Sequence, residues 1–280
     1  MLKPSEVLTV IKNHPDILPH LSAASKIHAF GEEAYYKAIE RDPAEPHRKE
    51  KMKFEKRLAE LMQRIFDRQK ETIRPQIAAA QYTKADDYDL EWTESEKKDF
   101  ISLILEVYGD GLDMFRQEVF DGFSDEFINV KAQAAARKYA YDLIKIMGQQ
   151  LNQTTVDGIR DAISMFAEPG VTIGDVMDRL PFNPARSLRI AVTEITRAYA
   201  TATQEAGMEM QREFPDLTVI KTWYTNVDDR VCDICGPLHM TSVKIDDNWG
   251  GIDNPPAHVG CRCFADYGTT LGGEVNWYAG

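Results

Sequence analysis

The chain has 280 residues, of which 43% are hydrophobic and 28% are charged, so it can bury a real core and lies outside the composition of disordered proteins. Its formal net charge of −12 argues against a protein whose whole surface binds nucleic acid, because such binding needs concentrated positive charge. The sequence shows neither a secretory leader nor an apolar run long enough to cross a bilayer, which predicts a cytoplasmic protein without membrane contact.

The first 45 residues are interrupted by Pro4, Pro15, Pro19 and Pro43. Proline cannot donate a backbone hydrogen bond, so such a stretch supports only short helices. We predict that residues 1–45 form an arm or docking segment of low autonomous stability.

A helical domain is predicted for residues 46–150. From His47 apolar residues recur at helical spacing, which predicts an amphipathic helix to about Arg74, where Pro75 should break or kink it. A later helix is predicted from about residue 125 to residue 147, and its many alanines indicate close helix packing.

Between these two, Thr93 and Glu96 have the spacing of a capping box, which predicts a helix that starts there. Gly109 and Gly111 are predicted to end it.

Three more helices are predicted after residue 150. Thr154 or Thr155 should cap the first, and Thr172 with Asp175 should open a short second one. Pro184 is expected near the start of a long third helix, since proline is favoured in the first turn.

The pattern changes after residue 215. The segment LTVIKTWYT is rich in β-branched and aromatic residues and predicts a strand, and SVKID predicts a second short one. Residues 269–280 are predicted to be a tail. The predicted fold class is therefore mainly α, a helical body with a small C-terminal α+β region.

All four cysteines lie between residues 232 and 263. Cys232 and Cys235 form a CxxC, and His258, Cys261 and Cys263 form an HxxCxC. Two clusters of this spacing are typical of a tetrahedral zinc site. We predict a structural Zn²⁺ held by Cys232, Cys235 and two of the other three residues; the spacing leaves open an all-cysteine shell or one with His258.

The order of several motifs resembles the phage head morphogenesis family of minor head proteins, the phage Mu F-like family, over roughly residues 155–268. The matching residues are Thr193, Glu194, Lys221, Trp223, Asp229, Arg230, Cys232, Cys235, Pro255, Pro256, His258, Cys261, Arg262 and Cys263. The chain departs from the family pattern at Val259, where proline is usual, and at 238–240 after the CxxC. Residues 151–268 are thus predicted to be a Mu F-like domain, with its zinc knuckle at 217–268.

The resemblance implies a structural component of the virion rather than an enzyme. Its implied partner is the portal protein during procapsid assembly, with the major capsid or scaffolding protein and packaged DNA as further candidates. Its implied location is the phage head near the portal, after assembly in the host cytoplasm. The N-terminal half is then expected to carry the partner contacts.

Five further residues are structural or interaction candidates. We interpret Thr193 and Glu194 as a polar pair satisfied by a nearby arginine or by the zinc-loop backbone, and not as a catalytic group, because no second acid or histidine has a matching spacing. Trp223 is expected to cover the metal loop. Arg230 belongs to the motif before the CxxC, and Arg262 is a candidate to pair with Glu194 or with phosphate.

Two alternative functions remain open from the sequence. One is a zinc-containing nuclease of the His-Asn-His type, although no histidine with a nearby asparagine shows the required strand-turn-helix context. The other is a DNA-binding adaptor, which the acidic composition disfavours.

Overall fold

The computed structural model describes residues 41–42, 44–80, 90–124, 126–164, 170–226, 231–271 and 274–276. The helices in these ranges are α1 (Arg48–Ala80), α2 (Glu94–Glu118), a π-helix (Phe127–Ala132), α3 (Gln133–Ser164), α4 (Ile173–Arg179) and α5 (Pro184–Glu213). The strands are β1 (Leu217–Tyr224), β2 (Ser242–Lys244), β3 (Phe264–Leu271) and β4 (Glu274–Asn276). The predicted fold class, mainly helical with a small C-terminal sheet, is confirmed.

The predicted helix starts at Thr93 and Thr172 agree with the structure. The Thr93 N–H donates to Glu96 Oε2 (2.7 Å), and the Glu96 N–H donates to Thr93 Oγ1 (3.2 Å). Thr172 and Asp175 form a second capping box at α4. Each box satisfies two backbone donors that the first helical turn would leave free.

The sequence analysis predicted that Pro75 would break or kink the first helix. Pro75 does not break helix α1, which continues to Ala80. Ile73 and Ile77 flank the proline and are fully buried. Proline removes one backbone hydrogen bond, and burial of the apolar face on both sides offsets that loss.

Two other predicted helix boundaries are wrong. Helix α2 runs through both Gly109 and Gly111, and α3 runs through Thr154 and Thr155 without a new start. Gly111 is buried against another helix, so it serves packing and does not end α2. The residues between Met147 and Thr154 include no proline that would stop a helix.

The two glycines of α2 allow a stability test that compares a crowded position with an open one. A Cβ at Gly111 would lie 3.0 Å from Ala202 Cβ, whereas a Cβ at Gly109 would meet nothing within 4 Å. Gly111→Val should lower the free energy of unfolding by about 1–3 kcal/mol through overpacking. Gly109→Ala should raise it by up to about 1 kcal/mol through helix propensity. Urea unfolding of both variants measures this, and a destabilised Gly109→Ala would contradict the exposed position.

The four strands form one sheet in the order β2-β1-β3-β4, and every neighbouring pair is antiparallel. The longest pairing runs from Leu217 opposite Leu271 to Tyr224 opposite Phe264. The prediction of a tail from residue 269 is therefore wrong for residues 269–271 and 274–276, because a second strand of eight residues is needed to satisfy the backbone groups of β1. Residues 277–280 lie outside the described part.

The chain divides into two compact units. One draws on residues within 59–96 and 146–189, and the other on residues within 41–58, 97–145 and 190–280. The chain passes between them within α1, α2, α3 and α5. The sequence-based boundaries after residues 45, 150 and 268 stay predictions.

In the first unit, the Phe66 and Phe182 rings pack at 5.7 Å, and the Arg186 guanidinium lies 5.0 Å from the centre of the Phe66 ring. In the second unit, an apolar cluster joins the sheet to helices α2 and α5. Its buried members are Phe115, Phe123, Phe127, Ala132, Ala206, Met210, Val219, Ile245 and Tyr267.

The end of the predicted N-terminal arm is buried in the second unit. Arg41 donates to Glu45 (2.6 Å), to Glu55 (2.8 Å) and to Thr196 Oγ1 (2.8 Å). Lys51 Nζ donates to the same Glu45 oxygen (3.0 Å). The prediction of a loosely held arm is therefore wrong at the C-terminal end of that segment, because the charged side chains there are buried and form ion pairs. Residues 1–40 lie outside the described part.

No helix of the described part combines the length and apolarity needed to cross a bilayer.

Candidate metal centre

A tight turn after β1 presents the first two cysteines. The Cys235 N–H donates to the Cys232 carbonyl oxygen (3.1 Å) and approaches Cys232 Sγ (3.4 Å). A 3₁₀ turn at Gly236–Leu238 follows. This turn places both sulfurs on the same side of the loop.

A second turn of the same size presents His258 and Cys261. The Cys261 N–H donates to the His258 carbonyl oxygen (3.1 Å). Gly260 within the turn has φ of +78°, a conformation that favours glycine. The Gly260 N–H donates to Thr193 Oγ1 on α5 (2.8 Å), so helix α5 holds the backbone of this turn.

The five predicted donors come together. His258 Nε2 lies 3.1 Å from Cys232 Sγ and 3.4 Å from Cys235 Sγ, and Cys235 Sγ lies 3.8 Å from Cys261 Sγ. Two groups of three donors each lie within 4.8 Å, one with Cys232, Cys235 and His258 and the other with Cys235, Cys261 and Cys263. All five line a cavity of about 30 Å³, which is enough for one small ion or water-sized sphere.

The orientation of His258 suits a metal ligand. Its Nδ1 lies 3.1 Å from the Val259 carbonyl oxygen. A carbonyl oxygen only accepts, so Nδ1 carries the proton and Nε2, which faces the cysteines, offers a lone pair. A second hydrogen bond of this kind typically fixes the ring of a metal-binding histidine.

The sulfurs influence each other's protonation. Hydrogen bonds with Cys235 and then with Cys263 lower the pKa of Cys261. The contacts of Cys235 with Cys261 and Cys263 raise the pKa of Cys235 in turn. Crowded thiols of this kind cannot all ionise without a cation, and a bound metal ion would supply that charge.

An apolar shell encloses the donors. Trp223 is fully buried, and its ring meets that of Trp249 edge-on at 5.2 Å. The Trp223 Nε1–H has no hydrogen-bond partner among the described residues. Cys235 lowers the pKa of Cys263, but the Cys261 sulfur and burial outweigh it and raise that pKa overall. The apolar shell limits the access of water to the sulfurs, which suits a structural metal site.

Lys221 is a structural residue whose role the sequence analysis did not assign. It is fully buried, donates to the Asp253 carbonyl oxygen (2.8 Å) and to Gln204 Oε1 (3.1 Å), and lies 5.1 Å from the centre of the Trp249 ring. Burial lowers its pKa, and nearby aspartates oppose that shift. Lys221 thus fixes the loop between β2 and β3 to the sheet and to α5. The only signal in the sequence was its place in the K-x-W motif.

The remaining candidates lie in different surroundings. Glu194 is buried, its Oε2 is 3.4 Å from Arg197 Nη1, and burial raises its pKa although Arg197 opposes this. Arg262 is half-buried at the donor cavity. Arg230 lies outside the described residues. No second carboxylate or histidine of the described part joins Glu194 in a metal-binding group.

Thiolate and imidazole donors in this number suit Zn²⁺, and four protein donors would leave no open position for a reacting molecule. The cluster is therefore able to hold a metal ion in a closed, structural shell.

The chain was compared with known proteins. No curated protein and no solved structure matches it. A family model described as "Phage Mu protein F like protein" matches residues 159–265, which include α5, β1, β2 and all five donors. The resemblance predicted from the motifs is confirmed: residues 159–265 of this chain are similar to the phage Mu protein F like family.

Proposed function

We propose that this protein is a minor head protein of a phage, bound at or near the portal during procapsid assembly. The observation that carries the proposal is the family match over residues 159–265. The family implies phage head morphogenesis and a place in the virion. It is a family of structural head proteins, which agrees with the expected non-enzymatic role.

The metal centre serves this role as a structural element. Zn²⁺ held by four of the five donors closes loops that contain few apolar residues of their own. Structural zinc contributes about 10–16 kcal/mol of apparent binding energy in small zinc-finger peptides, so one ion suffices to order such a region. A head protein gains from it a rigid end that keeps its shape during assembly.

The proposed contact with the portal uses the helices of the N-terminal half. Val130 on the π-helix and Tyr141 on α3 expose large apolar side chains, 60% and 62% accessible. Exposed aromatic and aliphatic side chains are the usual anchors of protein interfaces.

The test is co-expression with the portal protein of the same phage genome, followed by affinity purification over a range of salt concentrations. We expect the two proteins to co-purify, and Tyr141→Glu to reduce the recovered portal protein at least about tenfold, the loss of one anchor. Met208→Glu, at an exposed apolar side chain on α5, is the control and should change little. Absence of co-purification at every salt concentration would contradict portal binding.

Packaged DNA is a further partner implied by the family resemblance. A mobility shift that weakens steeply as salt rises would support it, because phosphate contacts release counterions. The major capsid and scaffolding proteins are tested in the same purification by mass spectrometry of the bound fraction.

A further inference from the structure

We propose that the metal ion is bound by Cys232, Cys235, His258 and Cys261, that Thr193 positions the turn carrying the last two, and that Cys263 stays outside the metal shell. This assignment rests on the metal centre proposed above. It selects one of the shells that the sequence left open, and it gives a role to the threonine of the family motif.

The first argument is the repetition of one backbone unit. Each of the two turns places its donors three residues apart and closes with a hydrogen bond from the later N–H to the earlier carbonyl oxygen, 3.1 Å in both. Cys232 and Cys235 occupy these positions in the first turn, and His258 and Cys261 occupy them in the second. Paired turns of this kind direct two side chains each toward one ion.

The second argument comes from distances. Zinc–sulfur bonds of about 2.3 Å at the tetrahedral angle place neighbouring sulfurs about 3.8 Å apart. Cys235 and Cys261 are 3.8 Å apart, and Cys235 is 3.4 Å from His258 Nε2, which in turn is 3.1 Å from Cys232. These three contacts link the four proposed ligands in series. Cys263 also lies within 4.8 Å of Cys235 and Cys261, so its place outside the two turns, and not distance, separates it from Cys261.

The third argument is the position of Cys263. It directly precedes Phe264, the first residue of β3, so it belongs to the strand end and not to either turn. It is 5% exposed and packs in the apolar cluster with Trp223. Cys263 therefore fills the apolar wall beside the two turns.

Thr193 acts on the metal through the second turn. Its side chain is buried, and its Oγ1 accepts from the Gly260 N–H at 2.8 Å. Gly260 lies between His258 and Cys261, so this bond sets the direction of both donors. Outer contacts that orient metal ligands typically contribute 10- to 100-fold in metal affinity.

The first experiment needs no variant and tests whether His258 is a ligand. Zinc X-ray absorption on the full-length, zinc-loaded protein counts the sulfur and nitrogen neighbours of the ion. We expect three sulfurs and one nitrogen. Four sulfurs would overturn this assignment while the metal centre itself stands, whereas protein that binds no metal would overturn the centre and leave the family match untouched.

Variants test each role by Co²⁺ titration, with absorption as the readout. Cys263→Ala should keep a one-to-one complex with the wild-type spectrum, and His258→Ala should lose the tetrahedral absorption. Thr193→Val should weaken Co²⁺ binding about 10- to 100-fold. Thr193→Ser should bind Co²⁺ with wild-type affinity, because serine keeps the hydroxyl that accepts from the Gly260 N–H. Loss of Co²⁺ binding in a folded Cys263→Ala, or wild-type affinity in Thr193→Val, contradicts the corresponding part of the assignment.

Discussion

Replacing Cys235 by serine is expected to abolish metal binding and to unfold the region from about residue 217 to residue 268, while the helices remain. Cys235 belongs to both groups of three close donors, the one with Cys232 and His258 and the one with Cys261 and Cys263. A metal shell of four ligands that draws on either group therefore includes Cys235. It is also 2% exposed and packs beside Trp223 and Trp249. Its loss therefore removes a ligand whichever of the other donors complete the shell.

The measurements are metal content by elemental analysis and limited proteolysis with mass mapping. About one metal ion per chain should fall to about zero, because a tetrahedral site rarely survives with three protein ligands in a structural role. New cleavage sites should appear within residues 217–268, and helical circular dichroism should change little. Asp233→Ser is the matched control, since Asp233 lies in the same turn with an exposed side chain. Wild-type protease resistance in Cys235→Ser would refute a metal-dependent fold.

The second large effect is expected at Arg41. Its guanidinium is 1% exposed and bonds to Glu45, Glu55 and Thr196. Arg41 and Lys51 outweigh the effect of burial on Glu45 and lower its pKa, whereas burial dominates at Glu55 and raises its pKa. Arg41→Met leaves both carboxylates buried without their main partner, which should cost about 3–5 kcal/mol in the free energy of unfolding.

Urea unfolding followed by circular dichroism measures the loss. Arg57→Met is the control, because the Arg57–Glu106 ion pair is half exposed on both sides. Such a surface pair contributes about 0–1 kcal/mol, so the control should stay close to the wild type. Equal unfolding midpoints for the two variants would show that the buried cluster contributes no more than a surface pair.

Local patterns in the sequence predicted the parts of the fold that depend on neighbouring residues. The capping boxes at Thr93 and Thr172 formed as predicted because their hydrogen bonds join residues three apart. The strand at Leu217–Tyr224 followed from its β-branched and aromatic residues. The five donors could be named because a metal shell requires rare residue types at fixed spacings.

Where the prediction failed, contacts between distant residues decided the outcome. The sequence analysis interpreted Gly111 as a helix stop. In the structure Gly111 packs against Ala202, and a larger side chain there would be too close to Ala202. Residues 269–271 read as a tail, yet they complete the ladder of β1 more than forty residues earlier in the chain, and no local signal carries that pairing.

The sequence by itself determined the helical class, the five cysteine and histidine residues that cluster, and the resemblance of residues 159–265 to the phage Mu protein F like family, because periodicity, residue chemistry and motif order are all present along the chain. The tertiary structure alone decided that Arg41 meets Thr196 across 155 positions, that Lys221 holds the loop over the sheet, and which of the predicted partners Thr193 takes, namely the backbone N–H of Gly260. Those contacts join polar groups that are far apart in the chain. A buried donor needs a hydrogen-bond acceptor, and only folding brings the two together.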